Sequence, residues 1–191
     1  LLVRFIVVNW LEKIIKQKVT DTIEIAIEQS GNVIQINDDT AEIRRTNFSI
    51  ILKFPQPESI LINASFKPET FNNAREGLPI NELAGFKQTG IPEDLFNRES
   101  VIYLSKDSPN FWYYADDSDH RFNSVLKSES GYVCTRDISG IVDIDGSGEK
   151  IDLIKIKEDI IYLVLIKVEW NESYTKIIEK HRKFLKLKFV I

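Results

Sequence analysis

The feature that most constrains the fold of this chain is isoleucine placed at alternate positions. Isoleucine occurs 28 times in the 191 residues, whereas alanine occurs only 6 times. Isoleucines separated by a single residue occur at Ile23, Ile25 and Ile27, and again at Ile34 and Ile36. Because successive side chains of a strand point to opposite faces, and β-branched residues favour strands, this pattern predicts half-buried strands.

Turn residues divide the chain into further segments. Gln29, Ser30 and Gly31 separate runs at 20–28 and 32–37 in the manner of a hairpin turn. Additional strands are predicted at 42–54, 58–66, 101–105, 111–115, 131–136, 140–145, 150–157, 160–169 and 185–191. Capping side chains predict two helices, one near 10–18 after Asn9 and one near 172–184 after Asn171.

Residues 68–100 interrupt this series of predicted strands with spaced prolines and glycines. We expect an irregular insertion with one or two short helices, which either covers a sheet face or forms a mobile lid or partner-binding loop. The whole pattern predicts a single α+β domain over residues 1–191. Its parts are a mostly antiparallel, multi-stranded sheet, a short N-terminal helix, a C-terminal helix and the insertion.

Composition narrows the class of protein. The single cysteine, Cys134, excludes an internal disulfide and favours a reducing compartment, so we expect a cytoplasmic protein. The apolar run 160–166 has the length of a buried strand and is too short to span a bilayer, so no membrane association is expected. A net charge of −4 argues against a general nucleic-acid binder.

The segment 111–121 has the highest concentration of candidate functional residues, because aromatic residues there precede a group of acids and a histidine. The candidate ligand- or partner-binding residues are Trp112, Tyr114, Asp117, Asp119 and His120. Aromatic planes beside carboxylates suit a sugar, a base or a cationic side chain, and the acids with the histidine also suit a metal ion. The alternative is that Asp117 or Ser118 caps a short helix, because Phe122, Val125 and Leu126 have helical spacing.

The segment 143–149 resembles the first half of a calcium loop. Its candidate ligands are Asp143, Asp145 and Ser147, at the positions where oxygen atoms converge on the ion. Position 12 of such a loop is Ile154, where a bidentate glutamate is required, so a glycine-rich hairpin turn explains the same residues without a metal.

Basic residues cluster near the end of the chain. Between Lys176 and Lys188 the net charge is +5, which leaves −9 on the remaining residues. Lys180, Arg182 and Lys183, on the predicted C-terminal helix, are the candidate phosphate-binding residues. The same residues also suit a solvated helix face, or contact with an acidic surface of this chain or of a second copy.

The sequence favours a non-catalytic binding or assembly domain over an enzyme. In this hypothesis the 68–100 insertion and the 111–121 edge recognise a protein partner or mediate self-association. The alternative is a metal-dependent hydrolase or phosphodiesterase that uses the acids and histidine of 116–120. A second alternative is nucleic-acid binding through the basic C-terminal helix. No cofactor is expected, except that a divalent metal would accompany the hydrolase alternative.

Overall fold

The computed structural model of the chain describes ten stretches of residues. They are 23–54, 59–79, 82–83, 102–104, 112–114, 121–122, 125–128, 131–142, 150–173 and 175–191. Within these stretches the chain is built mainly of β-strands, together with one eight-residue α-helix. The prediction of an α+β fold with a C-terminal helix is therefore wrong, and the described structure is mostly β.

The strands of the described stretches are numbered here in chain order. They are β1 (Glu24–Gln29), β2 (Asn32–Ile34), β3 (Ile36–Asn37), β4 (Thr40–Arg44), β5 (Phe48–Phe54), β6 (Ser59–Ser65), β7 (Ile102–Leu104), β8 (Trp112–Tyr114), β9 (Arg121–Phe122), β10 (Val125–Ser128), β11 (Gly131–Ile138), β12 (Gly140–Val142), β13 (Lys150–Asp152), β14 (Ile160–Trp170) and β15 (Ile177–Val190). The helix, α1, is Pro68–Arg75, and a 3-10 turn spans Leu153–Lys155.

These strands form two main sheets and a small ribbon. The small sheet has the order β10-β11-β5-β1-β2 and is antiparallel throughout. The large sheet has the order β3-β4-β15-β14-β6-β7-β8-β9, and its β4–β15 pair is parallel while its other pairs are antiparallel. Strands β12 and β13 pair with each other as a two-stranded ribbon.

The two main sheets pack face to face as a sandwich, and the alternating isoleucines fill its interior. Ile25 and Ile27 of β1 are buried in one core cluster with Leu163 and Leu165 of β14 and Leu187 of β15. In β1 the residues between them are half-buried or exposed, so the alternation in the sequence is the alternation of the two sheet faces. The prediction of an antiparallel, half-buried strand is confirmed for β1.

Helix α1 covers the outer face of the large sheet. Pro68 stands at its first turn and Glu69 follows, two features that favour a helix start. Phe71 and Ala74, three residues apart, are buried against Val164 and Ile166 of β14. Strand β14 is consequently buried on both faces, which explains its unbroken apolar run.

The predicted C-terminal helix is a loop followed by the first half of β15. The carboxamide oxygen of Asn171 accepts hydrogen bonds from the backbone N–H groups of Thr175 and Lys176, at 2.8 and 3.0 Å. Asn171 therefore does bond to the following backbone, as a capping residue would, but these bonds close the loop of the β14–β15 hairpin.

A β-bulge explains why the sequence of this strand has the spacing of a helix. Lys167 pairs with His181 and Val168 pairs with Glu179, which leaves Lys180 between the two pairs as an extra residue. A bulge shifts the alternation of side chains by one position. The apolar positions on either side of Lys180 therefore do not follow one period of two, and their spacing imitates that of a helix.

Two further predictions need correction. Phe122 belongs to strand β9, and Val125 and Leu126 belong to strand β10, so their helical spacing does not reflect a helix. The run 42–54 is two strands separated by the turn 45–47. The predicted helix near 10–18 lies outside the described residues, and the single-domain assignment stays a prediction.

Candidate functional site

The predicted aromatic and acidic site falls largely outside the described residues. Trp112 and Tyr114 lie in β8, which is next to the last described strand of the large sheet. Only their backbone is described, while Asp117, Asp119 and His120 lie outside the described stretches. The backbone thus places the aromatic segment near a sheet edge, and the role of its side chains stays a prediction.

The predicted metal ligands also fall outside the described residues. Asp143, Asp145 and Ser147 lie outside the described residues, between β12 and β13. Within the described stretches, no group of three or more His, Cys, Asp or Glu side chains is placed to hold a metal ion.

The predicted phosphate-binding residues lie on strand β15. Arg182 is largely buried and donates to the carbonyl oxygens of Ala74 and Leu78 at 2.7 and 2.6 Å, and it also bonds to Glu179. It therefore holds the C-terminal end of α1 against the sheet. Lys180 forms an ion pair with Glu169 at 3.1 Å, and Lys183 is half-buried on the same strand.

A cleft of about 610 Å³ lies at one end of the sandwich. We call it the sandwich-end cleft, and four segments line it: Ser30 of the β1–β2 turn, the β4–β5 turn 45–47, Ser139 between β11 and β12, and residues 152–154 at the end of β13. Its volume is within the range of pockets that bind small molecules or short chain segments. Turns at the end of a sandwich are a common place for binding residues, because a rigid scaffold positions them.

The first wall of the cleft is fixed by Gln29, the last residue of β1. Its side chain is 7% exposed. Its amide nitrogen donates to the carbonyl oxygens of Arg44 (3.0 Å) and Thr46 (3.1 Å), and also lies near the Thr46 hydroxyl and the Asn47 carbonyl. Its amide oxygen accepts from the Arg44 N–H at 2.8 Å. One buried side chain thus satisfies several backbone groups of the turn.

Arg45 holds the same turn from the other side. Its guanidinium donates to the carbonyl oxygens of Ile156 (2.8 Å) and Glu158 (2.9 Å) and to the carboxylate of Asp159 (3.1 Å). It also lies over the ring of Phe189, 4.6 Å from the ring centre. A planar guanidinium with several donors is suited to such multiple contacts. The turn is therefore tied to the segment before β14 and to β15.

The remaining cleft groups are mostly neutral and exposed. Ser30, Thr46 and Asn47 supply two hydroxyls and a carboxamide at the surface. Asp152 is paired with Lys155 at 3.3 Å. Ile154 is 70% exposed, although its neighbour Leu153 is buried in the core. The cleft therefore combines hydrogen-bonding groups with one exposed apolar side chain.

The cleft is not predicted from the sequence, because a single strand over 42–54 leaves no turn at this place. The signal was nevertheless present, since Arg45, Thr46 and Asn47 are three consecutive polar residues between the apolar Ile43 and Phe48. Such an interruption is typical of a turn between two strands.

Comparison of the chain with known protein families, with curated proteins and with solved structures finds no match. A search of the described residues for a helix of sufficient length and apolar character to cross a membrane finds none.

Proposed function

We propose that this chain is a non-catalytic binding domain that recognises a protein partner, and that the sandwich-end cleft receives a segment of that partner. The observation that carries the proposal is the fixed β4–β5 turn, which Gln29 holds from one side and Arg45 from the other. A surface that is already rigid before binding loses little conformational entropy when a ligand arrives.

The chemical character of the cleft also supports recognition. Hydroxyl and carboxamide groups at Ser30, Thr46 and Asn47 can donate and accept hydrogen bonds, and Ile154 offers an apolar contact. A small number of placed polar groups beside apolar surface is the usual composition of a binding site.

The cleft replaces the 68–100 insertion as the proposed contact surface. In the described part of that insertion, Phe71, Ala74 and Leu83 are buried in one cluster with β14. These residues cover the large sheet, which agrees with the covering alternative considered from the sequence. The 111–121 edge stays a second, sequence-based proposal for the same function.

The test is affinity capture from the source cell with two matched variants. Asn47→Trp fills the cleft, whereas Asn72→Trp places the same side chain on the exposed side of α1. We expect wild type and Asn72→Trp to enrich the same partner, and Asn47→Trp to lose it while retaining its folded circular dichroism spectrum. Enrichment of no protein, or equal enrichment by all three chains, would overturn the proposal.

A further inference from the structure

We infer that the sandwich-end cleft binds an uncharged peptide group next to an apolar side chain, and not an ionised chain end or a charged side chain. This inference rests on the proposed function and specifies the chemistry of the segment that enters the cleft. It follows from which groups of the cleft are already paired and which are not.

The charged groups of the cleft already have partners. Arg45 donates three hydrogen bonds, one of them to the carboxylate of Asp159, so its charge is balanced within the chain. The carboxylate of Asp152 lies 3.3 Å from the ammonium group of Lys155. A charged ligand that approaches either pair meets a positive and a negative group together, so it gains little net attraction at this exposed surface.

The uncommitted groups are neutral. The side-chain amide of Asn47 is exposed and has no hydrogen-bond partner within the described stretches, although its backbone carbonyl lies 3.4 Å from the amide nitrogen of Gln29. A carboxamide carries both a donor and an acceptor, so it can bond to the C=O and the N–H of one peptide group. The hydroxyl oxygen of Thr46 lies 3.1 Å from the amide nitrogen of Gln29, which can only donate, so the hydroxyl hydrogen is left for an acceptor on the ligand.

An apolar contact stands beside these groups. The side chain of Ile154 is 70% exposed and lines the same cleft. Burial of an exposed aliphatic side chain against another is favourable, because it removes apolar surface from water. The lining residues that the structure describes include no aromatic ring on which a sugar could stack, so a peptide fits this surface better than a carbohydrate.

The experiment is a titration of the isotope-labelled full chain followed by two-dimensional NMR, with three probes of similar size. N-acetyl-leucine N-methylamide presents a neutral peptide group with an apolar side chain. Free leucine presents the same side chain with ionised ends, and methyl glucoside presents hydroxyl groups. Each probe is titrated at low and at high salt, because screening weakens binding that depends on charge.

We expect the capped leucine to shift the backbone signals of residues 46, 47 and 154, with an affinity that salt leaves unchanged. The Asn47→Ala variant should bind it about fivefold more weakly, the effect of one or two lost hydrogen bonds, whereas Asn72→Ala should bind as wild type does. Tighter binding of free leucine or of the glucoside, or no shift with the capped leucine, would overturn the inference. Loss of the captured partner in Asn47→Trp would still support the proposed function in that case, so the two failures are distinguishable.

Discussion

Two buried side-chain amides in this protein have opposite surroundings. Gln29, at the end of β1, donates to and accepts from the backbone of the β4–β5 turn. Asn63, in the middle of β6, is 0% exposed, and neither its amide nitrogen nor its amide oxygen has a hydrogen-bond partner among the described residues. Its register partner is Val164, which places it on the face of the large sheet that α1 covers.

The difference follows from position along the strand. At the end of a strand, the backbone groups of an adjacent turn have no partners in a sheet ladder, so a side-chain amide can satisfy them. In the middle of a sheet, the backbone groups pair with neighbouring strands, as β6 does with β14. Asn63 in that position has no hydrogen-bond partner among the described residues, so none of them repays the cost of its lost hydration. The same functional group therefore stabilises one region and destabilises the other.

Replacement of Gln29 by leucine should give the largest effect. The substitution leaves the Arg44 N–H and several carbonyl oxygens of the turn without their partner, so we expect a loss of about 2–4 kcal/mol in the free energy of unfolding. Urea denaturation measures this loss. Gln35→Leu is the matched control, because Gln35 is exposed and its side chain bonds to that of the exposed Asn37. A loss at Gln29 no larger than that at Gln35 would remove the asserted role of the buried amide.

Replacement of Asn63 by leucine should act in the opposite direction. Leucine has the same number of side-chain heavy atoms and no polar group, so we expect a gain of about 1–2 kcal/mol in the free energy of unfolding. The melting temperature should rise accordingly. Asn72→Leu, on the exposed side of α1, should change stability by only a few tenths of a kcal/mol. A fall in the melting temperature of Asn63→Leu would mean that the Asn63 amide is engaged after all.

Replacement of Arg45 by lysine tests whether the Arg45 contacts with the segment before β14 hold the β4–β5 turn in place. An ammonium group cannot reproduce the planar set of contacts with Ile156, Glu158 and Phe189, so we expect a loss of about 1–2 kcal/mol in unfolding free energy. Arg44→Lys serves as control, since Arg44 is exposed and only its backbone takes part in the bonds to Gln29. Equal stability of the two variants would argue that Gln29 alone fixes the turn.

The smallest effect is expected at an exposed pair between parallel strands. A hydrogen bond from Lys188 to Glu42, at 2.9 Å, and the negative charge of Glu42 raise the pKa of Lys188 above its usual value of 10.5. Because the folded-state pKa is the higher one, the contribution of this pair is complete below 10.5 and disappears as the pH rises through the raised pKa.

The corresponding measurement compares the urea midpoints of wild type and Lys188→Gln at a pH below 10.5 and at a pH above the raised pKa of Lys188. We expect a small difference below it and none above it, with no such change for Lys176→Gln in the preceding loop. A difference that persists at the higher pH would contradict an electrostatic origin.

The sequence predicts strands where burial alternates without interruption. The isoleucines at Ile25 and Ile27 and the apolar run 160–166 identify β1 and β14, because one face or both faces of those strands are buried. The turn at Ser30 and Gly31 is also predictable, because glycine readily adopts the positive φ that a two-residue hairpin turn of this kind requires. In the structure both residues have a positive φ.

The remaining features depend on contacts between distant parts of the chain. The bulge at Lys180 conceals the alternation of β15, so local spacing indicated a helix where pairing with β14 produces a strand. The cleft is equally inaccessible to local reasoning, because Arg45 meets Ile156 and Glu158 more than a hundred residues away. The polar residues of the cleft can be recognised in the sequence, but the sequence does not indicate that they lie close together in the fold.

Hydrogen exchange of the Arg44 backbone amide, followed by NMR, tests most directly whether Gln29 fixes the turn that lines the cleft. In the wild type this amide donates to the buried Gln29 side chain at 2.8 Å, and we expect it to be protected. In Gln29→Leu it should exchange at least about tenfold faster, while amides in the centre of β14 keep their relative protection. An unchanged exchange rate for Arg44 would contradict the account.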